Sequence, residues 1–539
     1  MTNAMNTLHM DPKQEARRKA KEESEPLIPK LCSTSHNSAT IFIYLALCLL
    51  AFYSLTLIYP NFESDPTEME MSFWTSQNHG RPSYFGEQFY KPEQLHLSLG
   101  GKQNEIYVTW STMRPVNETE MTYRKINPKC QADSGPVVRV KGRLTKWTIT
   151  ESDELWIRAT RKETRQLYTY RAKLENLEPG SMYIYQVMAR QDIDQYYSRT
   201  YHYIAKDLSH TANISVALFG DLGLVNGQSI PRLTLDVDRE RYDMMIHNGD
   251  FAYDLDTHHG QYGDEFMRKL EPIAARVPYQ TSVGNHEIAE NFTHYNNRFT
   301  MFNRGGSTPG QQNNFYYSFN VGPVHFVAFS TEFYYFRDIV GMEPLKNQYK
   351  WLKKDLTLAA SPAQRKERPW ILVFGHRPMY CSSRDSDDCT KDSNILRKGL
   401  PNSGAYALEK LFYDFGVDVE LYSHEHQYER YLPIFNGAVF NGTDKPGDPY
   451  YNPLAPVHII SGSAGCQERL DPFRDDPAPG SIKQLVDYGY TRMEASRCRL
   501  RFMQLSDDDD GTVVDEFTIS KSRQNFPLST GITYDCAKM

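Results

Sequence analysis

The sequence predicts an all-β module over residues 86–207 followed by an α/β layer over residues 208–539. Three observations carry this. LHLSL (95–99) and IYVTW (106–110) alternate apolar and polar residues, as half-buried strands do, with Gly100 and Gly101 marking the turn between them. Beyond residue 210, apolar runs ending in polar residues alternate with amphipathic stretches at 234–242, 265–277, 348–360 and 406–416, the order of an α/β layer. The 539 residues are too many for one ordinary core. Aromatics make up 13% of the chain, with 36 tyrosines, which favours sheet over helical bundles.

In chain order, residues 1–39 read as a cytosolic tail and residues 40–59, TIFIYLALCLLAFYSLTLIY, as a transmembrane helix. Twenty uncharged residues rising ~1.5 Å each span a hydrocarbon core of about 30 Å. The alternative, a cleaved signal peptide, fits poorly with so long a run so far from the N-terminus. Lys21 and Lys30 precede it, whereas Glu63, Asp65, Glu68 and Glu70 follow, so the bulk of the chain is expected on the exoplasmic side. Four N-x-S/T sequons, at Asn117, Asn213, Asn291 and Asn441, all follow the span. So do Cys130, Cys381, Cys389, Cys466, Cys498 and Cys536, an even six that suggests disulfides, with Cys381–Cys389 the local pair. In the tail, Glu23, Leu27 and Ile28 have the spacing of an acidic dileucine signal read by clathrin adaptors, which points to endosomes and lysosomes or the cell surface. Residues 60–85 are polar, contain Pro60, Pro66 and Pro82, and read as a stalk whose cleavage would release the rest.

Within the β module, Leu177, Pro179 and Tyr183 resemble the tyrosine corner of a fibronectin-III-like sandwich, where the hydroxyl ties back to upstream backbone. In the α/β layer five strands end in metal-binding residue types. ISVALFGDLG ends at Asp221 and YDMMIHNGD at Asp250. VPYQTSVGNHE ends at Asn285 and His286, WILVFGHRP at His376, and VDVELYSHEH at His424 and His426. Further apolar runs at 324–329, 456–463, 500–505 and 512–519 complete two facing sheets with helices outside. The acidic run 507–510 reads as a solvated hairpin tip rather than a calcium site. A net charge of −7 gives no sign of a nucleic-acid partner.

A single Asp after a strand is usually a turn or cap residue, and a lone His is usually on the surface or satisfied in the core. Asp, Asp, Asn, His and H-x-H at successive strand ends are a different matter. Hard oxygens mixed with imidazoles suit two first-row metals held close together. In order, Asp221-Leu222-Gly223, Gly249-Asp250-Phe251-Ala252-Tyr253, Gly284-Asn285-His286-Glu287, Val373-Phe374-Gly375-His376 and His424-Glu425-His426 resemble the purple acid phosphatases. These are the iron-containing branch of the calcineurin-like metallophosphoesterases, and FGHRPMYCS and HEHQYER are most similar to their long animal form.

The resemblance implies an acid phosphatase that hydrolyses phosphate monoesters, with a hydroxide held by a dinuclear Fe(III)–M(II) centre attacking phosphorus. Metal 1, ferric iron, would take Asp221, Asp250, Tyr253 and His426. Metal 2, zinc, iron or manganese, would take Asp250, Asn285, His376 and His424. Tyr253 would replace the histidine that most relatives carry at the position of Gly223. His286 would bind phosphate and assist the leaving oxygen, the alternative being a hydrogen-bonding role behind the ligands. Plant members carry a second substrate histidine where this chain has Ser386, so Arg377 and Tyr380 become the candidates for substrate contact. Plant members also pair through disulfides, which leaves a homodimer open. His258 and His259 read as exposed loop residues. Two other readings stand beside this one: a phosphodiesterase or nucleotide pyrophosphatase on the same metals, and a non-catalytic phosphatase-like binding protein. All seven ligand positions are present, which argues against the last.

Overall fold

The computed structural model describes residues 87–127, 135–150, 164–442, 445, 447–527, 531–534 and 536. The predicted tail, membrane span, stalk and dileucine stretch lie outside these, as does Cys130. Among the described residues no helix is long and apolar enough to cross a membrane.

The β module has nine strands: β1 (Glu93–Leu99), β2 (Ile106–Thr112), β3 (Glu118–Ile126), β4 (Val138–Lys141), β5 (Arg143–Thr150), β6 (Thr164–Leu174), β7 (Met182–Gln191), β8 (Asp194–Tyr197) and β9 (Tyr201–Ile204). They form two antiparallel sheets. One has the order β1-β2-β6-β5; the other has β4-β3-β7-β8, with β9 also on β7. The alternation read from LHLSL and IYVTW places Leu95, Leu97, Leu99, Ile106, Val108 and Trp110 in the core. The tyrosine corner is formed: the backbone N–H of Glu178 donates to the Tyr183 hydroxyl at 3.0 Å.

The α/β layer follows: β10 (Ile214–Phe219), α1 (Ile230–Asp238), β11 (Met244–Asn248), α2 (Thr257–Ala274), β12 (Tyr279–Ser282), α3 (Ala289–Arg298), β13 (Tyr317–Val321), β14 (Val324–Ala328), α4 (Glu343–Ala359), β15 (Trp370–Phe374), α5 (Leu408–Asp414), β16 (Val419–Tyr422) and β17 (Tyr428–Tyr431). After a small hairpin, β18 (Ile434–Phe435) and β19 (Ala438–Val439), come β20 (Val457–Ser461), β21 (Ser481–Leu485), β22 (Gly489–Ala495), β23 (Arg499–Ser506) and β24 (Thr512–Ser520). One sheet runs β12-β11-β10-β22-β23-β24 and the other β13-β14-β15-β16-β20-β17-β21. β10, β11 and β12 are parallel, as are β14, β15, β16 and β20. Apart from Ser215 these parallel strands are buried throughout, so they show no apolar–polar alternation, and the polar residues within them, such as His247, Gln280, Glu420 and His458, are buried too. The acidic run 507–510 turns between β23 and β24 as expected.

The two sheets meet at the carboxyl ends of their parallel strands. The Asn248 amide donates to the Gly375 carbonyl at 2.7 Å, and the Gly220 N–H to the Ser461 carbonyl at 3.0 Å. A Cβ on Gly220 would lie 2.1 Å from the Ser423 hydroxyl, so only glycine permits this approach.

The β module packs on α2 and α3 through buried polar groups. Asp264 accepts from Arg298 at 2.8 Å, from Gln94 at 3.2 Å and from Arg165. Burial alone would raise its carboxyl, but Arg298, Arg165 and Arg268 hold it at about 2. A depressed folded value means that its contribution to stability is fully present above the unfolded value of about 3.9 and is lost as pH falls through about 2. The junction therefore stays intact at pH 4–5. Asp264→Asn leaves Arg298 buried against no anion and is expected to cost about 3–5 kcal/mol. Urea unfolding at pH 5 checks this; a change under about 1 kcal/mol would remove Asp264 from the junction's support.

Disulfides join Cys381 to Cys389 and Cys498 to Cys536. The expectation that all six exoplasmic cysteines pair is corrected at Cys466, which is free and buried.

Candidate metal centre

Each residue of the constellation sits just past a strand end. Asp221 follows β10, Asp250 and Tyr253 follow β11, and Asn285 follows β12. His376 follows β15, and His424 and His426 follow β16. Asp221, Asp250, Tyr253 and His424 have positive φ, at 57°, 53°, 57° and 69°. A non-glycine residue there is strained by about 1–3 kcal/mol, which the surrounding structure must over-determine. Here it does. Glu287, buried on the turn after β12, accepts the N–H groups of Asp250 and Phe251, each at 3.0 Å, and of Gly284 at 2.8 Å. A Cβ on Gly284 would lie 2.2 Å from Asp250 Oδ1, so this glycine lets β12 approach the carboxylate.

The side chains form two adjoining groups. In the first, the Tyr253 hydroxyl lies 2.7 Å from His426 Nε2 and 3.3 Å from Asp221 Oδ1, and His426 Nε2 is 3.5 Å from that same oxygen. In the second, His376 Nε2 lies 3.1 Å from Asp250 Oδ2 and 3.0 Å from Asn285 Oδ1. Ligand atoms of Asp250, His376 and His424 lie within 4.8 Å of one another. Asp221 also accepts the His424 backbone N–H at 3.1 Å, which links the groups.

The donor chemistry tests whether cations fit. His376 Nδ1 donates to the Asn248 carbonyl at 2.8 Å, and His426 Nδ1 to the Arg469 carbonyl at 2.9 Å. Each ring therefore turns an Nε2 lone pair toward carboxylate, amide or phenol oxygens. At His376 acceptor faces acceptor; in the other group the Tyr253 hydroxyl is a donor set between Asp221 and His426. Without a cation, protons must fill the gap. Burial would lower His376, but the Asp250 charge raises it to about 10. Burial would lower His426 too, but the bond to Asp221 lifts it well above the imidazole range. Burial, with Asp221 and Asp250 beside it, pushes the Tyr253 phenol far up. A cation at each group would take the place of those protons, so the residues fit a dinuclear centre.

Gly223 lies beside Tyr253. A Cβ at this position would stand 3.6 Å from the Tyr253 ring, and φ there is +75°, so the space a side chain would enter borders that ring. Asn285, His286 and His424 are half-exposed, and the group opens to solvent on that side. The His286 ring packs on Tyr253 at 4.5 Å, its backbone N–H donates to Asp250 at 3.0 Å, and Nδ1 donates to Asp254 at 2.9 Å.

Arg377 lies at the site, with Nη1 2.8 Å from His424 Nε2, but Glu332 at 3.1 Å and Asp387 at 3.5 Å balance its charge. Asp387 also holds His424 Nε2 at 2.9 Å, which leaves Nδ1 for a cation. Tyr380 is not at the site. Its hydroxyl is engaged by Glu409 and by the Gly437 N–H, and its ring lies 4.0 Å under Arg397. Burial and the Glu409 charge raise that phenol, fixing it as a structural donor. His258 and His259 fall at the kinked start of α2 and, among the described residues, contribute no atom to the cluster.

Sequence reasoning missed Glu287, Asp254, Asp387, Glu332 and Asp471. Two carried a signal: Glu287 closes Gly-Asn-His-Glu, and Asp254 directly follows Tyr253. The others arrive from loops remote in the chain, as Asp471 does, 45 residues on, to accept the His426 N–H at 2.6 Å.

Family models match along the described chain: the purple acid phosphatase N-terminal domain over residues 92–204, the calcineurin-like phosphoesterase over 214–428, and the iron/zinc purple acid phosphatase-like protein C over 455–516. Acid phosphatase type 7 of Homo sapiens is 42% identical over 427 residues, 79% of this chain and 90% of that protein. Its Danio rerio counterpart is 41% identical over 439 residues, 80% of this chain and 92% of that protein. The purple acid phosphatase PPD1 of yellow lupin seeds shares the fold, with TM-score 0.61 at 24% identity over 80% of this chain and 74% of that one. With family models covering its N-terminal sandwich and its two-sheet layer, and relatives above 40% identity over most of its length, the chain belongs to the purple acid phosphatases.

Proposed function

We propose that the chain is an acid phosphomonoesterase whose metal 1, ferric iron, is held by Asp221, Asp250, Tyr253 and His426. Metal 2, a zinc, iron or manganese ion, is held by Asp250, Asn285, His376 and His424. The observation that carries this is the convergence of two carboxylates, an amide oxygen, a phenol and three imidazoles where the two sheets meet. When bound, the cations supply Lewis-acid polarisation of the phosphoryl group and a water acidic enough to attack it at low pH.

The chain's own residues do the rest. Asp250 draws the two groups together, and Glu287 fixes its backbone. Tyr253 as a phenolate adds the negative charge that favours a trivalent cation at its site. Two cations against three anionic side chains leave net positive charge for a phosphate dianion. His286 is held by Asp254 through Nδ1; its Nε2, 3.8 Å from the exposed Glu468, is on the open side. Burial would lower this imidazole, but the bond to Asp254 and the charge of Asp250 raise it to about 9. The Asp254 bond favours the protonated ring, from which Nε2–H can donate to the leaving oxygen. Arg377, already paired, acts through Asp387 to orient His424.

His286→Ala tests the catalytic part. The kcat for an alkyl phosphate is expected to fall roughly 10²-fold or more, the ordinary range for general-acid assistance. The fall should be smaller for p-nitrophenyl phosphate, whose leaving group needs no proton. Metal content should be unchanged. Equal losses on both substrates would contradict proton donation.

The chain is further proposed to be a glycosylated type II membrane protein with its catalytic part luminal or extracellular. Asn117, Asn213, Asn291 and Asn441 are all exposed, and two disulfides suit an oxidising compartment, which supports this reading.

A further inference from the structure

The β module carries a concentration of positive charge away from the metal centre. β5 and β6 pair with Arg143 directly across from Arg171. Like charges directly opposite on antiparallel strands destabilise a sheet. A carboxylate beside them would relieve this, and among the described residues neither arginine has one within ion-pair distance. Arg171 is fixed entirely by neutral oxygens: Nε donates to Thr300 Oγ1 at 2.5 Å, Nη1 to Thr145 Oγ1 at 2.8 Å and Nη2 to the Asn297 carbonyl at 2.7 Å. These bonds orient the guanidinium without cancelling its charge. Burial, and then Arg143, push it down to about 10.

The pair lines a cavity of about 470 Å³ between the β module and the loop after α3. Lys141, Lys173 and Tyr107 line it from the module, and Asn296, Phe302 and Gln312 from the catalytic part. Lys173 is balanced by Glu175 at 2.5 Å and Glu105 at 3.5 Å, and Lys141 lies 3.6 Å from Glu118. The uncompensated charge is therefore on the two arginines. Guanidinium forks match the paired oxygens of sulfate, phosphate and carboxylate.

The rest of the lining narrows the ligand. Tyr107 is stacked on Phe302 at 4.3 Å, and Lys173 lies over the Tyr107 ring at 5.9 Å, so the Tyr107 ring is not free to stack a nucleobase. Asn296 and Gln312 are exposed at the edge, suited to hydroxyl groups. With a net charge of −7, the chain as a whole repels polyanions, so capture of one needs a local site.

We propose that this groove binds an acidic saccharide, with a sulfate or carboxylate group between Arg143 and Arg171 and sugar hydroxyls on the Asn296 and Gln312 amides. The site is separate from the metal centre and does not depend on the catalytic reading.

The test is a titration of the intact protein with a fluorescent sulfated uronate–glucosamine tetrasaccharide at about physiological salt, where surface attraction is screened. Saturable binding is expected. Arg143→Gln, an exposed position, should weaken it at least tenfold. Lys146→Gln, on the opposite face of β5, should leave it unchanged, and phosphatase activity should be unaffected in both. Without ligand, Arg143→Gln should raise the thermal midpoint, because the cross-strand repulsion is gone. The ligand should then raise the midpoint of the unmodified protein but not of the variant. Displacement by inorganic sulfate with the same dependence on Arg143 supports the oxyanion seat. The proposal is overturned by no saturable binding, by equal losses in both variants, or by a lower unliganded midpoint for Arg143→Gln, which would make the arginine structural.

Discussion

Asp250→Asn is expected to reduce the bound metal from two ions per chain to fewer than one and to lower kcat/KM by roughly 10⁴-fold or more, about 5.5 kcal/mol of transition-state stabilisation. The size follows from its position. Asp250 is the one proposed ligand shared by both ions; its Oδ2 faces His376 and its Oδ1 is fixed by the His286 N–H. Burial would raise its carboxyl, yet His376, His286 and His424 depress it strongly, so it is an anion at any working pH. Asparagine keeps the shape, removes the charge, and turns an N–H₂ or a weaker oxygen toward the cations. The fold should survive, because Glu287 bonds the backbone at this position rather than the side chain. Metal analysis beside far-UV circular dichroism checks both statements. Two ions per chain in the variant would mean that Asp250 does not bridge.

His376→Ala is expected to lose one ion and keep the other, with kcat falling roughly 10³-fold, about 4 kcal/mol. His376 belongs to the group of Asp250, Asn285 and His424, whereas Tyr253, Asp221 and His426 form their own contacts. The truncation also leaves the buried Asn248 carbonyl without the donor it has at 2.8 Å, a stability cost of about 1–3 kcal/mol. The phenolate–iron group should remain, so any visible absorption should persist while activity collapses. Loss of both ions, or of the absorption with the activity, would contradict the division into two sites.

Particular residues show how far the sequence could be read. Asp221, Asp250, Asn285, His376 and His424 were legible because each ends a buried parallel strand. Such strands are mostly apolar, and the cluster of Gly, Asp, Asn and His after each marks the rim. The tyrosine corner was legible because it is local. The order of the larger sheet was not. β20 inserts between β16 and β17, a pairing fixed by packing across a long connection rather than by any local pattern. The helix read at 234–242 starts earlier and ends at Asp238, where the chain turns through Glu240 at φ 55°. The groups behind the ligands were mostly silent, because Asp387, Glu332 and Asp471 are ordinary loop or helix acids until the fold delivers them. Tyr380 shows the converse. It lies four residues past His376 in the sequence, yet the chain turns it away to Glu409. Arg377, its near neighbour, reaches His424, with its charge paired by Glu332 and Asp387.

The central claim is that Tyr253 completes a metal site as a phenolate to ferric iron in place of a histidine at Gly223. The visible absorption spectrum of the purified protein, with iron measured per chain and Tyr253→Phe alongside, tests it most directly. The expected result is a broad visible band from phenolate-to-iron charge transfer, with at least one iron per chain, that disappears in the phenylalanine variant. Full metal occupancy with no visible band, or a band that survives Tyr253→Phe, would contradict it.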